Sequence, residues 1–319
     1  MAGTYTGKRI AFIGDVHAFS GYSNYQSMIT DYIQTNKMMD DIFILGDITY
    51  DAAEDEFQVI ADWSDRWPAT VHMLMGNHDL RNKYLTDEAE RSLYKERFKN
   101  ICHEKDTNYV VTIGNCVFIC ISTDGTTLAD KEDTTYGSHR PGDGFMTDNT
   151  KNYLLEKLAY YKNKDVNIIV CSHQPPYDVD QWATERQGNK YYNAEELMHI
   201  LSSYRINAWF YAHCHQSYKN GVVDISEPYT GIAPEYKQIN ITSDTPRSAA
   251  PKKVNNIYFI PCWGGNHFYG CPTTESRYIE LHNGANSFTV RSRHHEKGIW
   301  QKQLPNLDVV VPLSYNINL

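Results

Sequence analysis

The amino-acid sequence predicts an α/β protein built in layers, and three observations carry that expectation. Short apolar runs of strand length alternate with longer segments whose apolar positions recur at helical spacing, as happens where helices cover a sheet. The chain has 319 residues, 41% of them hydrophobic and 22% charged, enough to bury a sizeable core with an ordinary globular balance. Clusters of Asp, His and Asn fall directly after the apolar runs, where strand ends would deliver them to one rim.

The elements follow in order. Arg9–Ile13 is a short apolar run ending at Gly14, and Asn24–Lys37 reads as a helix with Tyr25, Met28, Ile29, Tyr32 and Ile33 on one face. Asp41–Leu45 is a buried strand, Glu54–Trp67 a helix, Thr70–Met75 a third strand and Thr86–Asn100 a polar helix. Tyr109–Ile113 and Cys116–Ser122 form a hairpin about Gly114-Asn115, while the polar, Gly-containing stretch Asp124–Thr147 reads as a long loop. Asp148–Lys162 is a helix and Asn167–Cys171 a strand. Asn193–Tyr204 is a helix opened by the capping pair Asn193 and Glu196, and Ala208–Ala212 is a strand. Gln216–Asn256 has prolines and little periodicity, the composition of a lid or a surface excursion. Ile257–Cys262, Arg277–His282 and Ser287–Arg293 are strands, the last two joined at Asn283-Gly284. Residues 1–297 read as one domain. Residues 298–319 read as a C-terminal extension that contains the strand-like Val309–Leu313 and would serve as a packing or oligomerisation arm.

Composition narrows the function classes. The formal charge of −9 lacks the basic footprint of a duplex nucleic-acid binder. No apolar run reaches the roughly 18 residues of a membrane span, and the polar start from Met1 to Lys8 has no signal-peptide core. Seven scattered cysteines, an odd number in a large chain, suit reduced thiols and an intracellular site of synthesis. A cytoplasmic or otherwise soluble protein is expected. The 24 tyrosines leave open a surface- or virion-associated protein that handles polymers.

Five clusters carry chemistry: Asp15-Val16-His17, Gly46-Asp47, Gly76-Asn77-His78-Asp79, Ser172-His173 and His213-Cys214-His215. In extended chain, residues two apart point the same way, so Asp15 can converge with His17 and His213 with His215. Gly46 and Gly76 permit tight turns out of the sheet. Carboxylate, imidazole and amide oxygen together suit Mn, Fe or Zn, and there are ligands enough for two ions if one carboxylate bridges them. Each cluster alone has a bland explanation, a turn pair or an Asx cap; all five in this order after apolar strands do not.

These motifs resemble those of the calcineurin-like metallophosphoesterase superfamily: Asp-x-His, Gly-Asp, Gly-Asn-His-Asp, His and a final His-x-His. The similarity spans about Ile10 to His215. The resemblance implies a four-layer α/β/β/α sandwich of two mixed β-sheets flanked by helices. It implies that Asp15, His17 and His215 hold a first metal, that Asp47 bridges, and that Asn77, His173 and His213 hold a second. His78 would contact the phosphate and protonate the leaving group, with Asp79 orienting it. The implied activity is hydrolysis of a small phosphate ester, first of all a diester, by in-line attack of a hydroxide shared by the two ions. A phosphomonoesterase, a nuclease for single strands and a non-catalytic module on the same fold are the alternatives. The family's Gly before the last His-x-His is Ala212 here, which bears on the geometry at His213. Arg81, His139, Arg140, Arg186, His267, Tyr50, Tyr177 and Trp182 are weaker candidates for substrate contacts, as is the Gly264-Gly265-Asn266-His267 turn.

Overall fold

The computed structural model describes residues 7–18, 31, 39–80, 88–102, 104, 106–122, 125–126, 144–176, 194–213, 251–262, 275–295, 299–300 and 308–319. Two mixed sheets stack face to face. The first contains β1 (Gly7–Ile13), β2 (Asp41–Leu45), β3 (Thr70–Leu74), β12 (Glu275–His282), β13 (Ser287–His294), β14 (Ile299–Trp300) and β15 (Val309–Pro312). Its order is β14-β13-β12-β1-β2-β3, with β15 also paired to β13. The second contains β4 (Asn108–Ile113), β5 (Cys116–Ile121), β8 (Asn167–Ser172), β9 (Ala208–Tyr211), β10 (Lys252–Val254) and β11 (Ile257–Pro261), in the order β10-β11-β9-β8-β5-β4.

Strands β1, β2 and β3 run parallel, as do β5, β8, β9 and β11. Parallel strands need crossovers, and four helices are described: α1 (Glu54–Ser64), α2 (Glu88–Ile101), α3 (Asp148–Tyr161) and α4 (Ala194–Leu201). Because strands buried on both faces need no alternation, β2, β5, β8 and β9 are apolar nearly throughout and buried at every position.

Three hydrophobic clusters separate four layers. Phe12 and Phe43 meet Phe118 and Phe210 between the sheets, and Phe12 stacks on Phe210 with ring centroids 3.8 Å apart. Ile44, Phe57, Ile60 and Phe98 bind α1 and α2 to the outer face of the first sheet. Val117, Leu154, Leu158, Leu197 and Trp209 do the same for α3 and α4 on the second. This is the α/β/β/α sandwich expected.

Some expectations need correction. The stretch read as a long loop from Asp124 to Thr147 contains a two-strand ribbon, β6 (Gly125–Thr126) with β7 (Gly144–Phe145), too short to show a period of two. Helix α1 ends at Ser64 rather than Trp67, where Ser64 Oγ turns back to the Ala61 carbonyl. Of the stretch Gln216–Asn256, read as a lid or as a surface excursion with a strand or two, residues 251–256 are described and include β10. The tail packs on the sandwich: β14 and β15 both extend the first sheet, and beyond them Ser314, Tyr315 and Asn318 hydrogen-bond to Asn167 and Asn115 of the second. The helix read at Asn24–Lys37 lies outside the described residues except for Asp31, which is helical. Among the described residues no helix is long and apolar enough to cross a membrane. Cys102, Cys116, Cys120, Cys171 and Cys262 are free and buried.

Candidate metal centre

The loops leaving β1, β2, β3, β8 and β9 converge at one end of the sandwich. The first two stay zipped beyond their strands: Asp15 N–H donates to the Gly46 carbonyl at 3.2 Å, His17 N–H to Asp47 at 2.8 Å and Ala18 N–H to Ile48 at 2.8 Å. Asp15, His17, Asp47 and His213 all have positive φ, 51°, 46°, 48° and 68°, so the pairs are not presented by extended chain as the sequence suggests. Left-handed backbone in non-glycine residues costs about 1–3 kcal/mol each and gathers at functional sites, where the surroundings enforce it. Asp and His are among the residues that tolerate it best.

Asp47 is the centre of the cluster and is buried. Its Oδ1 accepts the His78 backbone N–H at 2.8 Å. That leaves Oδ2 facing two imidazoles, His173 Nε2 at 3.2 Å and His17 Nε2 at 3.6 Å. Two sets of three ligand atoms, each within 4.8 Å of one another, therefore share this one carboxylate: His17, Asp47 and His78 on one side, Asp47, His173 and His213 on the other.

The second set is the better defined. His173 Nδ1 lies 2.7 Å from the Leu45 carbonyl, which can only accept, so Nδ1 is the donor and Nε2 is turned inward. Around Nε2 lie Asp47 Oδ2 at 3.2 Å, Asn77 Oδ1 at 3.1 Å and His213 Nδ1 at 3.2 Å. Lone pairs crowd one point from several directions, an arrangement that a cation satisfies.

The charge balance points the same way. Burial, reinforced by Asp47 and Asp79, pushes Asp15 up to about 8, against the pull of His173 and the His213 N–H. Burial would raise Asp47 too, but the imidazoles of His173, His78 and His17 hold it well below the usual carboxylate range. Burial opposes a charge on His173, yet the contact with Asp47 and the field of Asp15 raise it to about 9. Each carboxylate raises its neighbours, so positive charge is what the cluster calls for.

Glycine makes the approach of these groups feasible. A Cβ on Gly76 would lie 2.3 Å from Asp47 Oδ1 and 2.9 Å from His173 Cδ2, inside the site itself.

The residues singled out from sequence divide as follows. Asp15, His17, Asp47, Asn77, His78, Asp79, His173 and His213 come together. Asp15 accepts the His213 N–H, at 3.2 Å to Oδ1 and 3.1 Å to Oδ2. His215 lies outside the described residues, as do Arg81, His139, Arg140, Tyr177, Trp182, Arg186 and the 264–267 turn. Asp79 acts beside His78 through the backbone rather than the ring. Its carboxylate accepts from Ile48 N–H, Thr49 N–H, Thr49 Oγ1 and Gly76 N–H, tying the β2 loop to the β3 loop. The His78 ring is held by the Tyr50 carbonyl, 2.7 Å from Nδ1. A residue three positions along a tight turn reaches backbone N–H groups more readily than the ring of its neighbour, which explains the difference.

Sequence reasoning overlooked Gln174, buried with its amide on Asn77, and Thr49, bonded to Asp79. Neither belongs to a residue type that marks a metal site by itself. The worry over Ala212 is resolved by its neighbour: a Cβ on Gly14 would sit 2.2 Å from the Ala212 Cβ, so the missing methyl of Gly14 makes room for that of Ala212.

The calcineurin-like phosphoesterase family model matches residues 8–217. No curated protein sequence matches the chain. Solved structures share its fold at low identity. A dimetal phosphatase from Danio rerio has 14% identity and a TM-score of 0.64, over 96% of this chain and 99% of that one. A purple acid phosphatase from yellow lupin (Lupinus luteus) seeds has 12% identity and a TM-score of 0.58, over 97% of this chain and 54% of that one. GAP50 of Plasmodium, described as the anchor in the inner membrane complex, has 13% identity and a TM-score of 0.54, over 99% and 90%.

Proposed function

Because the chain belongs to the calcineurin-like phosphoesterase family, we propose that it is a catalyst that hydrolyses a phosphate ester with two metal ions, and that the ester is a diester. The observation that supports this reading is the Asp47 carboxylate, common to two sets of ligand atoms and aimed by its bond from the His78 N–H. Asp47, His173, His213 and Asn77 would hold one ion. His17 and Asp47, with Asp15 and His215, would hold the other. Mn, Fe and Zn all suit this mixture of imidazole and oxygen ligands. When bound, such ions lower the pKa of water and stabilise charge on the phosphoryl oxygens.

The chain's own groups do the rest. Asp47 keeps the two halves of the site at a set separation. The Tyr50 carbonyl accepts the His78 Nδ1–H, which leaves Nε2 as the nitrogen that would give a proton to a departing oxygen when the ring is the imidazolium. The charged groups that lower Asp47 most are the imidazoles of His173, His78 and His17. A singly charged diester asks less positive charge of its site than a doubly charged monoester. A monoesterase is the second reading, favoured by the likeness in fold to the Danio and lupin phosphatases. A non-catalytic module is the third, favoured by the anchor description of GAP50.

Metal content and turnover separate the three. Protein loaded with Mn²⁺ is expected to retain two ions per chain and to release nitrophenol faster from bis-nitrophenyl phosphate than from nitrophenyl phosphate. Faster release from the monoester makes the chain a monoesterase; a fully loaded protein inert on both is the module. Asp47→Asn should weaken both ions together, by about 10–100-fold, because it removes the charge they share. Loss of one ion alone would show that Asp47 does not bridge.

A further inference from the structure

We infer that Gln174 is a positioning residue that sets which atom of Asn77 faces the second metal position; this rests on the two-metal reading above. Asn77 is the one amide in the ligand set. Its two ends differ in chemistry: the oxygen can bind a cation and the NH₂ group cannot. An imidazole or carboxylate needs no such choice. In the fold the choice is made by Gln174, which is fully buried and donates from Nε2 to Asn77 Oδ1 at 3.0 Å. Only the oxygen of Asn77 can accept that bond, so the same bond turns the oxygen toward His173 Nε2, 3.1 Å away.

Gln174 is itself held at the end of a buried relay. Its backbone carbonyl accepts the Ser172 hydroxyl at 2.7 Å, and that hydroxyl accepts from Trp209 Nε1 at 2.7 Å. Ser172 and Trp209 are both fully buried, and Trp209 packs in the core between the second sheet and its helices. The relay therefore runs from the apolar core to one ligand and reaches only the second ion. Asp15 and His17, on the first ion's side, are placed by backbone bonds from the β2 and β9 loops instead.

A double-mutant cycle tests this. Gln174→Leu keeps the volume and removes the donor, and should weaken the second Mn²⁺ by about 10–100-fold while leaving the first unchanged. The spin-coupled Mn²⁺ pair seen by electron paramagnetic resonance should give way to an isolated Mn²⁺ signal at one equivalent. Asn77→Asp supplies two oxygens, so orientation no longer matters. Adding Gln174→Leu to Asn77→Asp should therefore cause little further loss of second-ion affinity. Equal losses in the two backgrounds, or parallel weakening of both ions with a lower melting temperature of the metal-free protein, would mean that Gln174 only packs the core. Failure of the wild-type chain to bind a second ion would instead overturn the two-metal reading.

Discussion

At the scale of single residues, His78 has the most consequential ambiguity. It offers a ring nitrogen within 4.8 Å of ligand atoms of His17 and Asp47, and its ring meets the His17 ring edge-on with centroids 4.5 Å apart. An imidazole so placed can serve as a ligand or as the acid that protonates the leaving group. The bond from Nδ1 to the Tyr50 carbonyl leaves Nε2 for either role, as a lone pair for an ion or, in the imidazolium, as the proton donor that we propose. His78→Ala is thus expected to keep both ions and to lose about 10²–10⁴-fold in rate on alkyl esters, whose alkoxide needs a proton. The loss on nitrophenyl esters should be clearly smaller. Metal analysis beside the two rates settles the role: a missing ion makes His78 a ligand.

At the scale of elements, the ends of β1 and β9 are fitted to each other. Gly14 and Ala212 meet where the first sheet faces the second, each one residue before a candidate site residue: Asp15 follows Gly14 and His213 follows Ala212. Gly14→Ala would place two methyl carbons 2.2 Å apart. Overpacking of this kind costs about 1–3 kcal/mol, and here the displacement would pass directly to Asp15 and His213. The double variant Gly14→Ala with Ala212→Gly moves the methyl to the other strand and should recover most of that loss. Urea unfolding of the two single variants and the pair measures the coupling, and additive losses would show that the contact is not the cause.

At the scale of the whole molecule, acid sensitivity is built into a buried cluster around Asp31. Asp31 receives Arg293 through Nε at 2.7 Å and His295 through Nδ1 at 2.8 Å, and His295 Nε2 faces Ser276 Oγ at 2.8 Å. This knot joins the helical segment at Asp31 to β12 and to β13 and its end. Burial lowers the His295 pKa below 6.5, against the pull of Asp31. The folded imidazole therefore resists a proton that the unfolded one accepts, and its contribution to stability declines as pH falls below 6.5. Burial would raise Asp31, but His295 and Arg293 outweigh it and hold it at about 2, so its contribution fades as pH falls from 3.8 toward that value. Melting temperature measured against pH should fall faster for the wild type below 6.5 than for His295→Gln. Parallel curves would show that the buried imidazole is not responsible.

Much of this molecule is legible from local signals. Apolar runs such as Ile42–Leu45 and Val117–Ile121 announce strands buried on both faces, and the Asp, Asn and His that follow them announce chemistry, because only strand ends leave such groups unburied by a sheet. The alternation of runs sufficed for α/β layering, and the motifs for the family. What the sequence could not reveal depends on atoms far apart in the chain. That Asp47 stands between His17 and His173, that Gly14 yields its methyl space to Ala212, and that Asp79 ties two loops together are all contacts across 30 residues or more or within one strained turn. The left-handed backbone at Asp15, His17, Asp47 and His213 is of the same kind. No local preference selects it; the packing of two sheets imposes it, since hydrogen bonds and buried area gathered over the whole sandwich offset a strain that each short segment would relax by itself.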